Sequence, residues 1–330
     1  MTRNLRVYED TFPIAGSFTI SRGSRTEVQV MVAEISDSSY PDLRGRGECV
    51  PYPRYGESMA SVRQQIEAMA GLIADGASHA ALDQALAAGA ARNALDCALF
   101  DLEAKMAGQR VWQLLDLAPP PDLITAYTLS LGSPEDMGKA AQGAKDRALL
   151  KLKLGGAGDV ERVRAVRQGA PKARLIVDAN EAWEPDMFLP LSQGLAELGV
   201  ELIEQPLPSG QDHILADLPH PVPICADESC HISTDLPGLV GLYDLVNVKL
   251  DKCGGLSEGL TLMAAAKEQG FGIMVGCMLG TSLAMAPATL LASMADYVDL
   301  DGPLLLAKDR DAPLVYRDSY VSAPTANLWG

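Results

Sequence analysis

The sequence predicts an α/β protein: a parallel (β/α)7β barrel behind an N-terminal α+β domain. Three observations predict it. Beyond residue 122, short apolar runs alternate with helical segments, and a polar residue stands near the end of each run at 128, 153, 178, 204, 227, 249, 277 and 299. The steps between them, 22 to 28 residues, are about what a strand, a helix and two loops require. Residues from about 5 to 50 instead alternate as an antiparallel meander, and "APPPD" at 118–122 separates the two patterns. No G-x-G-x-x-G follows the first strand of the second region, which counts against a doubly wound open sheet.

Taken in order, residues 1–118 form the first domain. "SFTISRGSRTEVQVMVAEI" holds two β-rich runs around the polar turn Arg22-Gly23-Ser24-Arg25. "GECVPYPRYGES" is a Pro/Gly/Tyr loop, and two or three helices follow from about Ser58 to Ala107, with apolar positions three and four apart. The barrel occupies 119–305. Residues from about 306 to 330 add no β/α unit and are expected to return to the first domain. One stretch, Ile273 to Ala295, has no charged residue and could span a bilayer by length. Gly276, Gly280 and Pro287 interrupt it, so a buried strand, a turn and a core helix fit better.

The net charge of −16 argues against nucleic acid or an anionic membrane as partner. Cys49, Cys97, Cys225, Cys230, Cys253 and Cys277 contain no C-x-x-C pair. "MTRNLRVYED" has no apolar core of the signal-peptide kind, so reduced thiols in the cytoplasm are expected.

The chemistry gathers at the strand ends, which converge on one mouth in a barrel. In "LLKLKLGG", Leu150, Leu152 and Leu154 share one face, and Leu149, Lys151 and Lys153 the other. Asp178, Glu204 and Asp227 end three consecutive strands, an oxygen donor set suited to a hard divalent cation such as Mg²⁺. Lys249 follows on the sixth strand, and Asp299 and Asp301 on the eighth. A lysine base needs its pKa brought from about 10.4 to roughly 7–8, which a metal ion and a second ammonium can supply. The bland reading of Lys151 and Lys153 is as structural ion pairs with Asp178 and Glu204. Two bases facing each other across a metal-bound carboxylate suit removal and return of an α-proton, hence epimerisation. His79, His213, His220 and His231 do not end the seventh run, "FGIMVGCM", so a histidine base at the mouth is not expected.

These pieces together, K-x-K in "LKLKLGG", "IVDAN", "IEQP", "ADES" and "VNVKLDKCGG", resemble the enolase superfamily, in its muconate-lactonizing subgroup. The resemblance implies a modified TIM barrel with an N-terminal capping domain. Within it, "YVDLDGP" is similar to the eighth strand of dipeptide epimerases acting on L-Ala-D/L-Glu, which implies that Asp299 and Asp301 hold a dipeptide's ammonium group. It further implies Asp178, Glu204 and Asp227 as Mg²⁺ ligands and Lys153 and Lys249 as the acid/base pair. Lys151 would then help hold the substrate carboxylate, while Thr128 and Cys277 line the pocket. Lys252, three residues beyond Lys249, is the less favoured base. Arg22 and Arg25 lie in the capping loop, where a guanidinium would suit the Glu side chain of a substrate. The partner implied is a small dipeptide, with a homo-oligomer left open. The alternatives are o-succinylbenzoate synthesis, muconate cycloisomerisation, another dipeptide preference, or a non-catalytic binding barrel.

Overall fold

The computed structural model describes residues 2–330. Its first domain rests on an antiparallel sheet of β1 (Arg3–Ile20), β2 (Gly23–Asp37) and β3 (Tyr40–Cys49). The β1–β2 register shifts between Pro13 and Phe18. Pro13 has no N–H to give and Gly16 takes φ 89°, so the ladder breaks and the hairpin tip bearing Arg22 and Arg25 is set off from the sheet. Where the sequence predicts two or three helices there are four, α1 (Met59–Ala68), α2 (Ala70–Ala74), α3 (His79–Ala85) and α4 (Ala90–Ala107), followed by the short α5 (Val111–Leu114). The extra one, α2, is a single turn parted from α1 only by Met69.

After the two-residue β4 (Leu123–Ile124) come eight parallel strands, hydrogen-bonded in chain order: β5 (Tyr127–Leu129), β6 (Leu149–Lys153), β7 (Arg174–Asp178), β8 (Val200–Glu204), β9 (Ile224–Ala226), β10 (Leu245–Val248), β11 (Gly272–Val275) and β12 (Tyr297–Val298). The Ala126 N–H donates to the Val298 carbonyl at 2.8 Å and joins the two edges, so the sheet curls onto itself. Ala126, just before β5, joins Leu149, Ile176, Leu202, Cys225, Leu245 and Met274 of the next six strands, with Tyr297 of β12 against them, in one apolar layer. This layer is the barrel floor. Leu150, Leu152 and Leu154 face outward into the larger core between strands and helices, as their alternation predicts.

The helices α6 (Pro134–Gly143), α7 (Asp159–Gly169), α8 (Pro185–Glu197), α9 (Leu250–Cys253), α10 (Leu256–Glu268) and α11 (Ser282–Ala292) lie between the strands. Two connections depart from the expected repeat. The links β8–β9 and β9–β10 carry only 3₁₀ turns, His213–Asp217 and Ser233–Gly238. Pro219, Pro221 and Pro223 follow the first and Pro237 lies inside the second, which disfavours a longer α-helix. The uncharged stretch resolves into β11 and the fully buried α11. Among the described residues no helix is long and apolar enough to cross a membrane.

The chain then touches both regions. The Ala307 N–H donates to the Pro13 carbonyl at 2.8 Å. β13 (Tyr316–Arg317) and β14 (Tyr320–Val321) form a small sheet with β4. Finally the Trp329 indole N–H reaches the Cys97 carbonyl of α4 at 3.0 Å.

Candidate active site

The curled sheet has eight positions, so strands four apart stand across the barrel from each other. β6 therefore faces β10, and β8 faces β12. Lys153 ends β6 and Lys249 follows β10, and both line one cleft of about 680 Å³ between the barrel mouth and the first domain. Its outer wall is Phe18, Ile20, Arg25, Tyr52 and Tyr55. A narrower inner recess shares Lys153, Lys249 and Cys277 with that cleft and continues to Thr128, Lys151, Asp299 and Asp301.

Asp178, Glu204 and Asp227 end or directly follow the consecutive strands β7, β8 and β9, and all three are buried. Each has one oxygen held from behind. The Asn180 N–H donates to Asp178 Oδ1 at 2.9 Å, Asn247 Nδ2 to Glu204 Oε1 at 2.8 Å, and Lys252 Nζ to Asp227 Oδ1 at 2.7 Å. Each other oxygen meets a lysine: Lys153 at 2.5 Å from Asp178 Oδ2, Lys151 at 2.6 Å from Glu204 Oε2, and Lys249 at 2.6 Å from Asp227 Oδ2. Lys151, one layer deeper than Lys153, also lies 2.7 Å from Asp299 Oδ2. Its ammonium bridges the two sides of the barrel. Both lysines of "LLKLKLGG" are thus balanced by acids from other strands rather than from their own.

The electrostatics follow from these contacts. Burial opposes charge on Lys151, but Asp299, Glu204 and Asp178 outweigh it and hold the ammonium well above the usual lysine range. Burial likewise opposes charge on Lys249, and Asp227 and Glu204 outweigh it. The lowering that a useful base needs is therefore not found for these two groups, because acids rather than cations are their nearest neighbours. Burial would raise Asp178, yet Lys153 and Lys151 pull it down to about 2. Burial, then Asp299, pushes Asp301 up to about 7, even though the Thr128 N–H donates to its Oδ2 at 2.6 Å.

The donor set fits a hard divalent cation. Three carboxylates are each fixed through one oxygen, and Glu204 Oε2 is buried without a hydrogen-bond donor in good geometry. Among the described residues, however, no three acidic, His or Cys side chains are closed around one metal position. The lysines hold the inward oxygens instead.

The structure separates the two arginines. Both line the cleft, but Arg25 has its guanidinium 5.7 Å from the Tyr52 ring. Arg22 is engaged by Glu228 at 2.8 Å, Glu181 at 3.2 Å and the Asn180 carbonyl at 3.0 Å. Cys277 lines both parts of the cleft. Sequence reasoning missed Asn247 and Gln205. Asn247 sits two residues before Lys249 and so shares its face, a signal that was available. Gln205 accepts the Asp227 N–H at 2.8 Å through Oε1 and is itself held by Tyr243 at 2.8 Å. Lys252, set aside as a base, proves to be a buried clamp on four oxygens: the Asp227 carboxylate and the carbonyls of Asp227, Cys230 and Asn247.

Comparison with known proteins agrees with this geometry. Residues 2–116 match the mandelate racemase / muconate lactonizing enzyme N-terminal domain, and residues 136–327 the enolase C-terminal domain-like family. The chain is 46% identical over 319 residues to an L-Ala-D/L-Glu epimerase of Escherichia coli K12, covering 95% of this chain and 98% of the relative. It is 44% identical over 309 residues to an N-acetyl-D-glutamate racemase of a Pseudoalteromonas species, covering 91% and 95%. Among solved structures, an enolase family member from Agrobacterium tumefaciens with homology to dipeptide epimerases, holding sodium and L-Ala-L-Glu, superimposes with a TM-score of 0.97 at 53% identity over 99% of this chain and 100% of that one. A dipeptide epimerase from Enterococcus faecalis V583, complexed with Mg and L-Leu-L-Tyr, gives 0.90 at 28% identity over 100% and 99%. Matched in both halves, and with paired lysines and successive strand-end acids where such a barrel puts them, the chain belongs to the mandelate racemase / muconate lactonizing enzyme family of the enolase superfamily.

Proposed function

We propose that the protein is a Mg²⁺-dependent dipeptide epimerase that inverts the Glu α-carbon of L-Ala-D/L-Glu. The observation that carries this is the facing pair: Lys153 and Lys249 stand on strands half a barrel apart and line the same cleft. One ammonium and one free amine in those positions can take a proton from one face of a trigonal carbon and return it to the other. Asp178, Glu204 and Asp227 would hold the cation, which when bound supplies positive charge to the substrate carboxylate as the α-proton leaves. Lys151, beneath the cleft, adds a fixed positive charge at the same end. Asp299 and Asp301, just past the end of β12, lie across the barrel from Glu204 on β8, so they would receive the amino group at the far end of the ligand. Thr128 fixes Asp301, and Cys277 fills the wall between. Arg25 is the better candidate for the Glu side chain, since Arg22 already serves acids of the protein. Phe18 and Tyr55 would keep water from the exchanging proton.

The similarity to an N-acetyl-D-glutamate racemase supports a second reading, in which an N-acylated glutamate occupies the cleft. An acyl group carries no positive charge, so the acid pair after β12 favours the dipeptide. The family resemblance further suggests a role on peptides released from murein in the cytoplasm, and six free thiols are consistent with a reducing compartment. The deciding experiment is proton NMR in D₂O with Mg²⁺, offering L-Ala-L-Glu and N-acetyl-L-glutamate separately. Loss of the Glu α-proton signal with growth of L-Ala-D-Glu, abolished in Lys153→Ala and Lys249→Ala, is the expected result. Exchange on the acyl substrate alone would transfer the assignment to the second reading.

A further inference from the structure

Directly behind β7 the chain makes a strained turn. Asn180 and Glu181 take φ 46° and 65°, left-handed values that asparagine adopts readily but that a glutamate keeps only where the surroundings hold it there. Asn180 looks inward: its N–H and Nδ2 donate to the Asp178 carboxylate at 2.9 and 3.1 Å. Its carbonyl looks outward and accepts from Ser21 Oγ at 3.2 Å and Arg22 Nη1 at 3.0 Å. The Glu181 carboxylate, only 9% exposed, accepts from Arg54 Nε at 2.8 Å, Arg54 Nη2 at 2.7 Å, Arg22 Nη1 at 3.2 Å and the Ser209 N–H at 2.8 Å. Its own N–H donates to the Gln205 carbonyl at 2.9 Å. Arg22 comes from the β1–β2 tip and Arg54 from the turn after β3. These segments also supply the outer wall of the cleft, through Phe18, Arg25, Tyr52 and Tyr55.

We propose that Glu181 is a positioning residue, the shared anchor that holds both segments over the barrel mouth and ties them to the turn that orients Asp178. Isolated surface ion pairs contribute little, but this carboxylate is largely buried, binds Arg54 in fork geometry and serves two segments and a backbone N–H at once. Arg22 keeps a second acid, Glu228 at 2.8 Å, whereas Glu181 is the acid that Arg54 pairs with. The turn after β3 therefore depends on Glu181 the more.

The kinetic part of the test rests on the epimerase reading; the exchange part does not. Glu181→Gln keeps the size and removes the charge, and Arg54→Met, at a half-exposed side chain, removes the donor without touching the turn. In substrate-free protein, hydrogen–deuterium exchange read by mass spectrometry should quicken in residues 17–25 and 50–56 in Glu181→Gln, and chiefly in 50–56 in Arg54→Met. The barrel strands should stay unchanged. With L-Ala-L-Glu, KM should rise roughly tenfold, as expected for loss of a charge-assisted bond, with kcat nearly preserved. Exchange unchanged in both segments, or quickened evenly across the molecule, would overturn the proposal. So would an unchanged KM in an active enzyme. If the wild type is inactive on the dipeptide, the epimerase reading fails and the exchange result still decides the role of Glu181.

Discussion

Removing the Lys252 ammonium should destabilise the protein more than removing either facing lysine. That ammonium serves four buried oxygens at once, so Lys252→Met strips one buried partner from the Asp227 carboxylate and a donor from three carbonyls, at a cost of about 3–5 kcal/mol. Urea unfolding of Lys252→Met beside Lys249→Met tests the order. Asp301 makes a second prediction. Burial first and Asp299 second hold it near 7, so its negative charge is present above that pH and lost below it. If it receives an ammonium group, KM for a dipeptide should climb as pH falls from about 8 to 6, and Asp301→Asn should flatten that rise. The strand-end acids and lysines were legible because strand periodicity and an even step put them on one rim. Lys252 was not, because three of its four acceptors are backbone carbonyls, and carbonyls leave no letter in a sequence.

At the scale of elements, α4 lies so close to β3 that two positions tolerate no side chain. A Cβ on Gly47 would fall against the Ala94 carbonyl, and one on Gly45 against the Ala98 carbonyl. Gly47→Ala should cost about 1–3 kcal/mol or more, read from the denaturant midpoint. The α3–α4 contact gives stability a pH dependence. His79 of α3 lies 2.6 Å from Asp96 and 3.2 Å from Glu103 of α4. Burial opposes its charge, but the two acids prevail and hold it near 9, above its ordinary 6.5. A raised folded-state pKa contributes fully below about pH 6.5 and is lost as pH rises through about 9, with a ceiling of roughly 3 kcal/mol. The melting temperature should therefore fall between those values, and His79→Gln should remove the slope. Apolar periodicity made the helices visible; the glycine contacts were hidden, since they depend on which helix lands on which strand.

Across the whole molecule, the strand-end acids and lysines form a cross. The acids at the ends of β7–β9 and the acid pair that follows β12 end one diameter, and Lys153 and Lys249 end the other. The seven near-equal steps between the eight runs are enough to set Lys153 and Lys249 on opposite sides of the rim. The docking of the last residues was only partly legible, because β13 and β14 are two residues each and too short for a periodic signal. Trp329, fully buried, joins this segment to α4, and Trp329→Ala should cost about 3–5 kcal/mol. Calorimetry should still find the two regions unfolding together in the wild type.

The hairpin tip, set off from its sheet by the break at Pro13, has a consequence for descent. Groups that would move protons come from barrel strands, while Phe18 and Arg25 pair with each other on the outer rungs of the β1–β2 hairpin, past the register shift and away from every barrel strand. A lineage built on this plan could vary the wall of the cleft at those two positions while every barrel strand kept its sequence.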